Sequence, residues 1–559
     1  MRSVQLDQVT RAISTGAEEM FRRQRPDGAF RDAPPGSVLG TAGAIAALHA
    51  ADPDGSAVLV KTGADWLRRQ QRPDGGWGGV TGAESALVPT VIATATLHVV
   101  APGASADAVA GGRRRLAELG GLAVIDDLAV TAMCKQFLAL AGLPEAGELR
   151  RLPLELVLLD KVRRQRISFR TAPFIGMALL QARTLPPPGP LRRFTRRLAE
   201  PRALRLLDSI YQHEGRTGVL SEDPWPAALV CLGLTHAGLA PRLVTAIVGF
   251  LRSCVRPDGA WDAVSNLDLT RSGFAATGLI AAGYADDPRL AATRDLFHRS
   301  QQREAFTVLG VPAGGWSYSG PRGWPVTLES AEILAALAGL PGHDADPVLR
   351  SGLDWLVGRQ DQRGSWSLWV RDTKLPNDGP CPGITSQGII ALREAGHDPD
   401  SPPVAAAARW LLTQQRPDGS FHNLWYRDFT TGTAIVLDAL CHAGLRTDPV
   451  AVRAKGWLLR AQRPNGAWGS GNPTDDGSVE ETSWTLPALL AAGVPADDEA
   501  IRRGVGWLLS AQEPDGIWRP SRICAYIRNY MYYPNGAIAQ SLALRALGNY
   551  RTAVEAAIR

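Results

Sequence analysis

The sequence is poor in cysteine and contains no long apolar run. Its six cysteines are scattered over 559 residues, without a Cys-x-x-Cys pair or a spacing typical of metal ligands. We therefore expect free, mostly buried thiols. No apolar stretch reaches the roughly 18 to 20 residues that a membrane-spanning helix needs. The nine histidines form no His-Glu-x-x-His pattern, so we expect no zinc.

The first helical segment lacks the features of a signal peptide. It is amphipathic and charged throughout, without an apolar core or a small-residue cleavage site, so we expect a cytoplasmic protein. The net charge is only +5 and the arginines are spread along the chain, which argues against nucleic acid as a partner. This mild basic balance suits an anionic small substrate or peripheral contact with anionic membrane lipid. A monomer and a homodimer are both compatible with the sequence.

Length and composition indicate a globular protein of two domains. Hydrophobic residues make up 45% of the chain and charged residues 21%, which excludes a disordered or fibrous protein. A chain of 559 residues is too long for one ordinary core. Two domains of roughly 250 to 300 residues each are therefore expected.

One short phrase recurs along the chain: Gln in all copies but the one at 256–261, then a Pro-Asp-Gly turn or a close relative of it, then Trp or Phe. We recognise seven copies, at 24–30, 71–77, 256–261, 362–366, 415–421, 462–468 and 512–518. Pro presets φ, Asp bonds its own backbone, and Gly accepts a positive φ, so each copy ends a helix. The segments between copies have apolar residues at helical spacing.

The repeating unit is thus helix, loop, helix and turn, with a period of roughly 45 to 55 residues where copies are adjacent. Helix pairs of this kind bury their apolar faces only against neighbouring pairs. We expect the Gln amide to cap the following backbone while the aromatic ring packs on it, which would tie successive outer helices together. The period alone is equally compatible with a closed barrel and with an open helical solenoid.

The repeated phrase resembles the QW motif of squalene-hopene cyclases, oxidosqualene cyclases and class II diterpene cyclases of the copalyl type. Further landmarks of that family match the segments 152–155, 314–319, 478–482, 526–533 and 546–550. The resemblance implies an all-α fold of two α/α barrels, called β and γ, with an apolar cavity between them. We expect residues 1–20 and 300–559 to form the β-type barrel, and residues 21–299 to form the inserted γ-type barrel.

The catalytic motif departs from the family pattern. Class II cyclases protonate an alkene or epoxide with the middle Asp of an Asp-x-Asp-Asp motif. In the matching segment, 324–332, that position is Leu328, and Glu329 falls on the final Asp. Three interpretations stay open: Glu329 is a substitute acid, a carboxylate from another loop such as Asp378 has taken over, or no protonation occurs here. A one-residue displacement turns a helical side chain by about 100°, which counts against Glu329.

Two polar loops, 369–380 and 422–428, are expected at the mouth of the cavity. If the substrate carries a diphosphate, Arg371, Lys374 and Arg427 could hold it, and Asp372 and Asp428 could bind Mg²⁺. Surface salt bridges between neighbouring loops are the alternative. No organic cofactor is expected. The full set of expected substrate-binding residues is Trp324, Trp369, Arg371, Lys374, Trp425, Tyr426, Arg427, Arg528, Tyr530 and Tyr533.

The acidic pair Asp126 and Asp127 is interpreted as a helix N-cap with an acidic neighbour rather than a metal site. The function that the resemblance implies is a class II-type terpene cyclase that converts a linear isoprenoid, either a prenyl diphosphate or a squalene-like polyprene, into a cyclised or rearranged terpenoid. One alternative is a related enzyme with changed chemistry on a preformed terpenoid. Another is a barrel that binds isoprenoids without catalysis.

Overall fold

A computed structural model of the protein describes residues 2–159, 171–185, 189–264, 266–373, 375, 377–427, 429–469 and 476–559. The predicted site residues Lys374 and Asp428 lie outside this part. The described residues form 21 α-helices and a two-stranded antiparallel sheet. None of these helices is both long and apolar enough to cross a membrane. The six cysteines are free thiols.

The N-terminal half of the chain contributes ten helices. They are α1 (Arg2–Arg22), α2 (Val38–Ala51), α3 (Ala57–Gln70), α4 (Leu87–Val100), α5 (Ala106–Glu118), α6 (Leu128–Leu140), α7 (Thr171–Thr184), α8 (Pro190–His213), α9 (Pro224–Ala237) and α10 (Pro241–Ser253). Short 3₁₀ segments connect several of them.

The remaining elements follow in the second half. They are α11 (Asp268–Leu279), α12 (Leu290–Ser300), α13 (Thr327–Gly339), α14 (Pro347–Gly358), α15 (Pro382–Glu394), α16 (Pro402–Leu412), α17 (Thr430–His442), α18 (Pro449–Arg460), α19 (Val479–Ala491), α20 (Glu499–Ser510), β1 (Arg522–Ile527), β2 (Met531–Pro534) and α21 (Gly536–Ile558).

Six helices close into a ring, so the repeat forms a barrel and not an open solenoid. In ring order they are α11, α13, α15, α17, α19 and α21, and α21 packs back against α11. The helices α12, α14, α16, α18 and α20 each pack outside an inner partner, and α1 packs on α21 and α20. The first and last helices of the chain therefore belong to the same barrel.

The contacts between helices place the boundary between the barrels earlier in the chain than the sequence-based division does. The sequence-based division assigns residues up to 299 to the inserted barrel, yet α11 is an inner helix of the ring and α12 is its outer partner. The inserted segment ends before Asp268 because α11 fills the gap between α21 and α13. Sequence similarity among helix pairs does not show which ring a pair joins, which explains the error.

The inserted segment forms a second layered helical unit. Its inner helices run in the order α6, α4, α2, α9 and α7, while α3, α5 and α10 lie outside α2, α4 and α9. The described residues thus form most of a second α/α barrel. Together the two units give the double α/α barrel that the sequence predicts.

Outer helices of the ring begin at acidic caps. Asp346, Asp448 and Asp498 each accept hydrogen bonds from the first backbone N–H groups of α14, α18 and α20. A proline follows the cap in α14 and α18, where its missing N–H costs no intrahelical bond. These local signals fix the residue at which each of these outer helices starts.

The repeated phrase acts as a clamp between layers. The indole Nε1 of its Trp donates at 2.7 to 2.8 Å to a backbone carbonyl at the end of the preceding outer helix. The Trp residues are Trp77, Trp261, Trp316, Trp366, Trp468 and Trp518. The backbone N–H of the same residue donates to an inner helix, as Trp366 does to Thr385 Oγ1 at 3.0 Å. Outer and inner layers are thereby locked together.

The Gln amide of the phrase makes two further bonds. Gln415 donates to the carbonyl of Gly419 in its own turn and to that of Val450 in the first turn of α18. Gln512 bonds Gly516 and reaches Ala12 of α1, which joins the last outer helix to the first. The clamp that the sequence predicts is thus present as hydrogen bonds.

In one copy the structure corrects the assigned glutamine. The side chain that clamps is Gln360, which donates to Gly364 and Pro403 carbonyls at 2.8 Å each, whereas the side chain of Gln362 is exposed. Gln301 makes the same pair of bonds, to Gly314 and Val348, although its turn has no Pro-Asp-Gly. Position relative to the helix end, rather than the turn sequence, selects the clamping glutamine.

Removing this clamp gives a direct test. Gln360→Ala loses two hydrogen bonds to partly buried carbonyls and should lower the free energy of unfolding by about 1 to 3 kcal/mol. The matched control Gln362→Ala should change it by less than about 0.5 kcal/mol. Urea unfolding followed by circular dichroism measures both, and equal effects of the two substitutions would contradict the assignment.

Candidate functional site

An apolar cavity lies between the two barrels. It has a volume of about 230 Å³, and both units line it. The inserted unit contributes side chains from α6, α7 and α9, such as Met133, Phe174 and Trp225. The ring contributes the start of α13 and residues of the β1 and β2 hairpin. Such a concave, aromatic-rich space suits a hydrocarbon ligand.

Glu329 lies on the cavity wall in the first turn of α13. Its side chain is only 7% exposed, and Thr270 of α11 donates a hydrogen bond to Oε1 at 3.0 Å. Oε2 is buried without a hydrogen-bond partner among the described residues. Burial raises the pKa of Glu329 from 4.5 to about 7, against the lowering effect of its hydrogen bonds. The carboxyl group is therefore largely protonated below neutral pH.

Leu328 lies on the same wall, beside Glu329. The turn of about 100° between neighbouring helical residues does not remove Glu329 from the cavity, because α13 begins at Thr327. At a helix start both side chains can reach the space beyond the helix end. The sequence-based argument against Glu329 therefore underestimates how far a side chain at a helix start can reach into the cavity.

A second carboxyl group lies one turn deeper in the ring. Glu332 is 7% exposed, accepts a 2.7 Å bond from Thr277, and lies 3.4 Å from Nε2 of Gln387. Burial raises its pKa as well. Its negative charge would oppose ionisation of Glu329, since it acts to raise the pKa of Glu329. Glu332 is not part of the cavity wall and supports the protonated state of its neighbour.

Three of the predicted aromatic residues line the cavity: Trp369, Trp425 and Tyr533. The rings of Trp369 and Trp425 pack edge to face, with centroids 5.6 Å apart. Aromatic faces stabilise nearby positive charge, so this wall suits a carbocation.

The other predicted aromatics lie elsewhere. Trp324 is fully buried, and its Nε1 donates to Oε1 of Glu214 in the inserted unit at 2.8 Å. Tyr426 packs against Trp484 inside the ring. Tyr530 donates its hydroxyl hydrogen to Asp126. Trp324 and Tyr530 therefore hold the two barrels together and do not line the cavity.

The predicted basic residues are committed to other partners. Arg371 lies near Asp372 and the Gly358 carbonyl, and its side chain is 46% exposed. Arg427 pairs with the buried carboxylate of Glu481 at 2.9 Å. Arg528 lies 3.4 Å from Nδ1 of His422. None of these three arginines lines the cavity.

The metal and second-acid predictions gain no support from the described geometry. Asp372 Oδ1 accepts the backbone N–H of Gln362, and no group of three His, Cys, Asp or Glu side chains among the described residues could hold a metal ion. Asp372 and the other described acidic residues therefore do not form a Mg²⁺ site by themselves. Asp378 is buried and lies off the cavity wall.

The sequence interpretation of Asp126 and Asp127 agrees with the structure. Asp127 Oδ1 accepts the N–H groups of Ala129 and Val130 and caps α6. Its other oxygen accepts a 3.1 Å bond from Asn377 in the ring. The pair is a cap that also fastens the two barrels beside the cavity.

One carboxyl group on the cavity wall was not anticipated from the sequence. Asp223, directly before α9, is 2% exposed and lines the cavity from the inserted unit. Tyr318 of the ring, which also lines the cavity, donates to its Oδ2 at 3.4 Å. The sequence Asp-Pro at a helix start resembles an ordinary cap, so no signal in the sequence distinguishes this residue.

Two family models match the chain. The squalene-hopene cyclase N-terminal domain matches residues 13–168 and the squalene-hopene cyclase C-terminal domain matches residues 368–552. Together these ranges cover more than half of the sequence. The chain belongs to the class II terpene cyclase family.

Individual relatives agree with this membership. This class II terpene cyclase family member is 27% identical over 226 residues to squalene-hopene cyclase of Bradyrhizobium diazoefficiens, covering 35% of this chain and 34% of that protein. It is 26% identical over 351 residues to squalene-hopene cyclase of Alicyclobacillus acidocaldarius, covering 55% and 54%. The match therefore spans about a third to a half of these relatives.

A solved structure supports the fold over the whole length. The ent-copalyl diphosphate synthase from Streptomyces platensis aligns with a TM-score of 0.53, covering 99% of each chain at 17% identity. At this identity the likeness shows the double-barrel fold of the family and no more.

The raised pKa of Glu329 predicts that the free energy of unfolding depends on pH. Between the unfolded value of 4.5 and the folded value of about 7, the unfolded chain loses this proton while the folded chain keeps it. Stability therefore falls as pH rises through this window. Glu329→Gln removes the effect, so its stability relative to the wild type should rise by on the order of 2 to 3 kcal/mol from pH 4.5 to 8. Urea unfolding of both proteins measures this, and a pH-independent difference would contradict it.

Proposed function

We propose that the protein is a class II-type terpene cyclase that protonates a linear isoprenoid and cyclises or rearranges it. The observation that supports this is a buried carboxyl group, Glu329, on the wall of an apolar cavity with aromatic faces, where burial raises its pKa to about 7. A neutral carboxylic acid is the kind of donor that alkene protonation requires.

Each of the named residues has a separate role in the proposed reaction. Thr270 donates a hydrogen bond to Oε1 of Glu329, and Oε2 is buried without a hydrogen-bond partner among the described residues. Glu329 gives its proton to a terminal double bond, and a tertiary carbocation forms at the neighbouring carbon. The apolar wall folds the chain by shape, while Trp369 and Trp425 stabilise the migrating charge. Exclusion of water protects the cation from early capture.

The substrate class is proposed only as far as a linear isoprenoid. A squalene-like polyprene needs no charged contact, which suits a wall whose described residues include no Lys or Arg. A prenyl diphosphate would place its head group outside this wall, toward Arg371. Mg²⁺ would be required only in that second case. The carboxylates that would bind it are not assembled among the described residues.

Leu328 supports a second candidate. Because the usual donor position on the wall is apolar, a binding barrel without catalysis or an enzyme acting on a preformed terpenoid would present the same surface. The presence of Glu329 beside it favours proton-initiated chemistry.

Turnover separates these candidates. We expect the wild type to convert at least one of farnesyl diphosphate, geranylgeranyl diphosphate, squalene and oxidosqualene, assayed with and without Mg²⁺. Glu329→Gln keeps the size of the side chain but has no acidic proton, and should lower kcat by about 10²-fold or more. Asp378→Asn, a buried carboxylate off the wall, should retain the wild-type rate. Product formation measured by mass spectrometry would contradict the proposal if Glu329→Gln is as active as the wild type.

We propose in addition that helix α8 mediates peripheral contact with anionic membranes. Leu191, Phe194 and Leu198 lie on one face of this helix and are 74%, 60% and 48% exposed. Arg192 and Arg193 are exposed beside them. An apolar stripe flanked by arginines is typical of helices that lie in the lipid interface.

Vesicle binding tests this contact. Leu191→Ser with Phe194→Ser should reduce co-sedimentation with phosphatidylglycerol-containing vesicles by roughly tenfold or more. The control Val58→Ser changes a residue that is 77% exposed on α3 and should bind as the wild type does. Equal binding by all three proteins would rule out α8 as the contact.

A further inference from the structure

The cavity wall carries two carboxyl groups, one from each barrel. Among the described lining residues, Glu329 comes from the ring and Asp223 from the inserted unit, and all other side chains there are apolar, aromatic or tyrosine hydroxyls. Both carboxyl groups are buried, at 7% and 2% exposure. An enzyme that adds a proton at one point of its substrate and removes one at another can use two such groups.

Tyr533 lies within electrostatic range of both groups. Burial raises its pKa well above the usual value, and the charges of Asp223 and Glu329 raise it further, while Arg271 lowers it. Asp223 and Glu329 therefore share one stretch of cavity beside a single tyrosine ring, which also lines the wall.

Asp223 lies beside two groups that can stabilise negative charge. It directly precedes α9, a helix of 14 residues whose first N–H groups present partial positive charge, although its side chain makes no capping bond to them. The hydroxyl group of Tyr318 donates a hydrogen bond to Oδ2 of Asp223 at 3.4 Å.

We propose that Asp223 is the general base that ends the reaction by removing a proton from the final carbocation. This assignment rests on the proposed proton-initiated function. Because a carboxylate attracts positive charge, Asp223 also makes this end of the cavity a binding site for cationic isoprenoids, such as prenyl amines.

The chemistry balances without any further reactant. Glu329 gives its proton to an alkene carbon, and the π electrons of the chain form the ring bonds and leave a carbocation near Asp223. Asp223 then takes a proton from a carbon next to the cation, and the electrons of that C–H bond become the new double bond. One proton has entered and one has left, so the product is an isomer of the substrate. Solvent returns Asp223 and Glu329 to their starting states between turnovers.

Product analysis tests the base. Asp223→Asn cannot accept the proton, so it should still consume substrate while formation of the wild-type alkene falls by about 10²-fold or more. Alcohols from water capture, or alkenes from loss of a different proton, should replace it. Asp223→Glu keeps a carboxylate and should restore part of the wild-type alkene. Glu329→Gln should instead stop consumption of the substrate altogether.

Binding tests the same site without turnover. We expect the wild type to bind farnesyldimethylamine at least tenfold more tightly than a neutral hydrocarbon of the same shape, measured by calorimetry at pH 7.5. This preference should disappear in Asp223→Asn and persist in Glu329→Gln. If Asp223→Asn does not fold, absence of the amine preference from the wild type would still overturn the site, and Asp223→Glu should keep that preference.

The outcomes separate the two proposals. An unchanged alkene from Asp223→Asn would overturn the base assignment and leave the proposed function intact. Absence of any turnover by the wild type, together with an amine preference that depends on Asp223, would overturn the function and retain the cation site. An amine preference that is absent from the wild type or unaffected in Asp223→Asn would overturn the site.

Discussion

Closure of the six-helix ring is the constraint on which the rest of the structure depends. No single helix pair of the repeat can bury its apolar face alone. The glutamine and tryptophan clamps fix each outer helix to its neighbour and to the inner layer, and Gln512 bonds α1 to complete the circuit. Once the ring is closed, the N-terminal end of α13 faces the inserted barrel, and Glu329 faces the cavity as a consequence.

Two electrostatic effects compete at that helix end. The N-terminus of α13 and the hydrogen bond from Thr270 favour the charged form of Glu329, whereas burial favours the neutral form. Burial is the larger effect, so the pKa rises to about 7. Asp223 also precedes a helix, and its Oδ2 accepts a hydrogen bond from Tyr318. The proposed acid and the proposed base thus lie in different surroundings, as their different tasks require.

Local sequence predicted the repeat, the turns and the clamp, because each depends on residues within one helix pair. It misplaced the boundary near residue 299 and chose Gln362 over Gln360, because ring membership and clamp position depend on packing between pairs. Trp324, Tyr426 and Tyr530 were expected to line the cavity on the basis of aromatic character, yet each meets a specific partner elsewhere. Asp223 was missed since its sequence context is that of a common helix cap.

The position of the cavity between barrels has a mechanical consequence. Its two carboxyl groups belong to different folding units, so their separation is set by how the barrels dock and not by any helix. That docking relies on polar contacts, including Trp324 with Glu214, Tyr530 with Asp126, and Asn377 with Asp127. Trp324 lies three residues before α13, so the contact that joins the barrels also fixes the start of the helix that carries Glu329. Trp324 and Tyr530, which look like ligand contacts in the sequence, therefore act indirectly in the proposed mechanism, by holding the proposed acid Glu329 and the proposed base Asp223 at a constant distance.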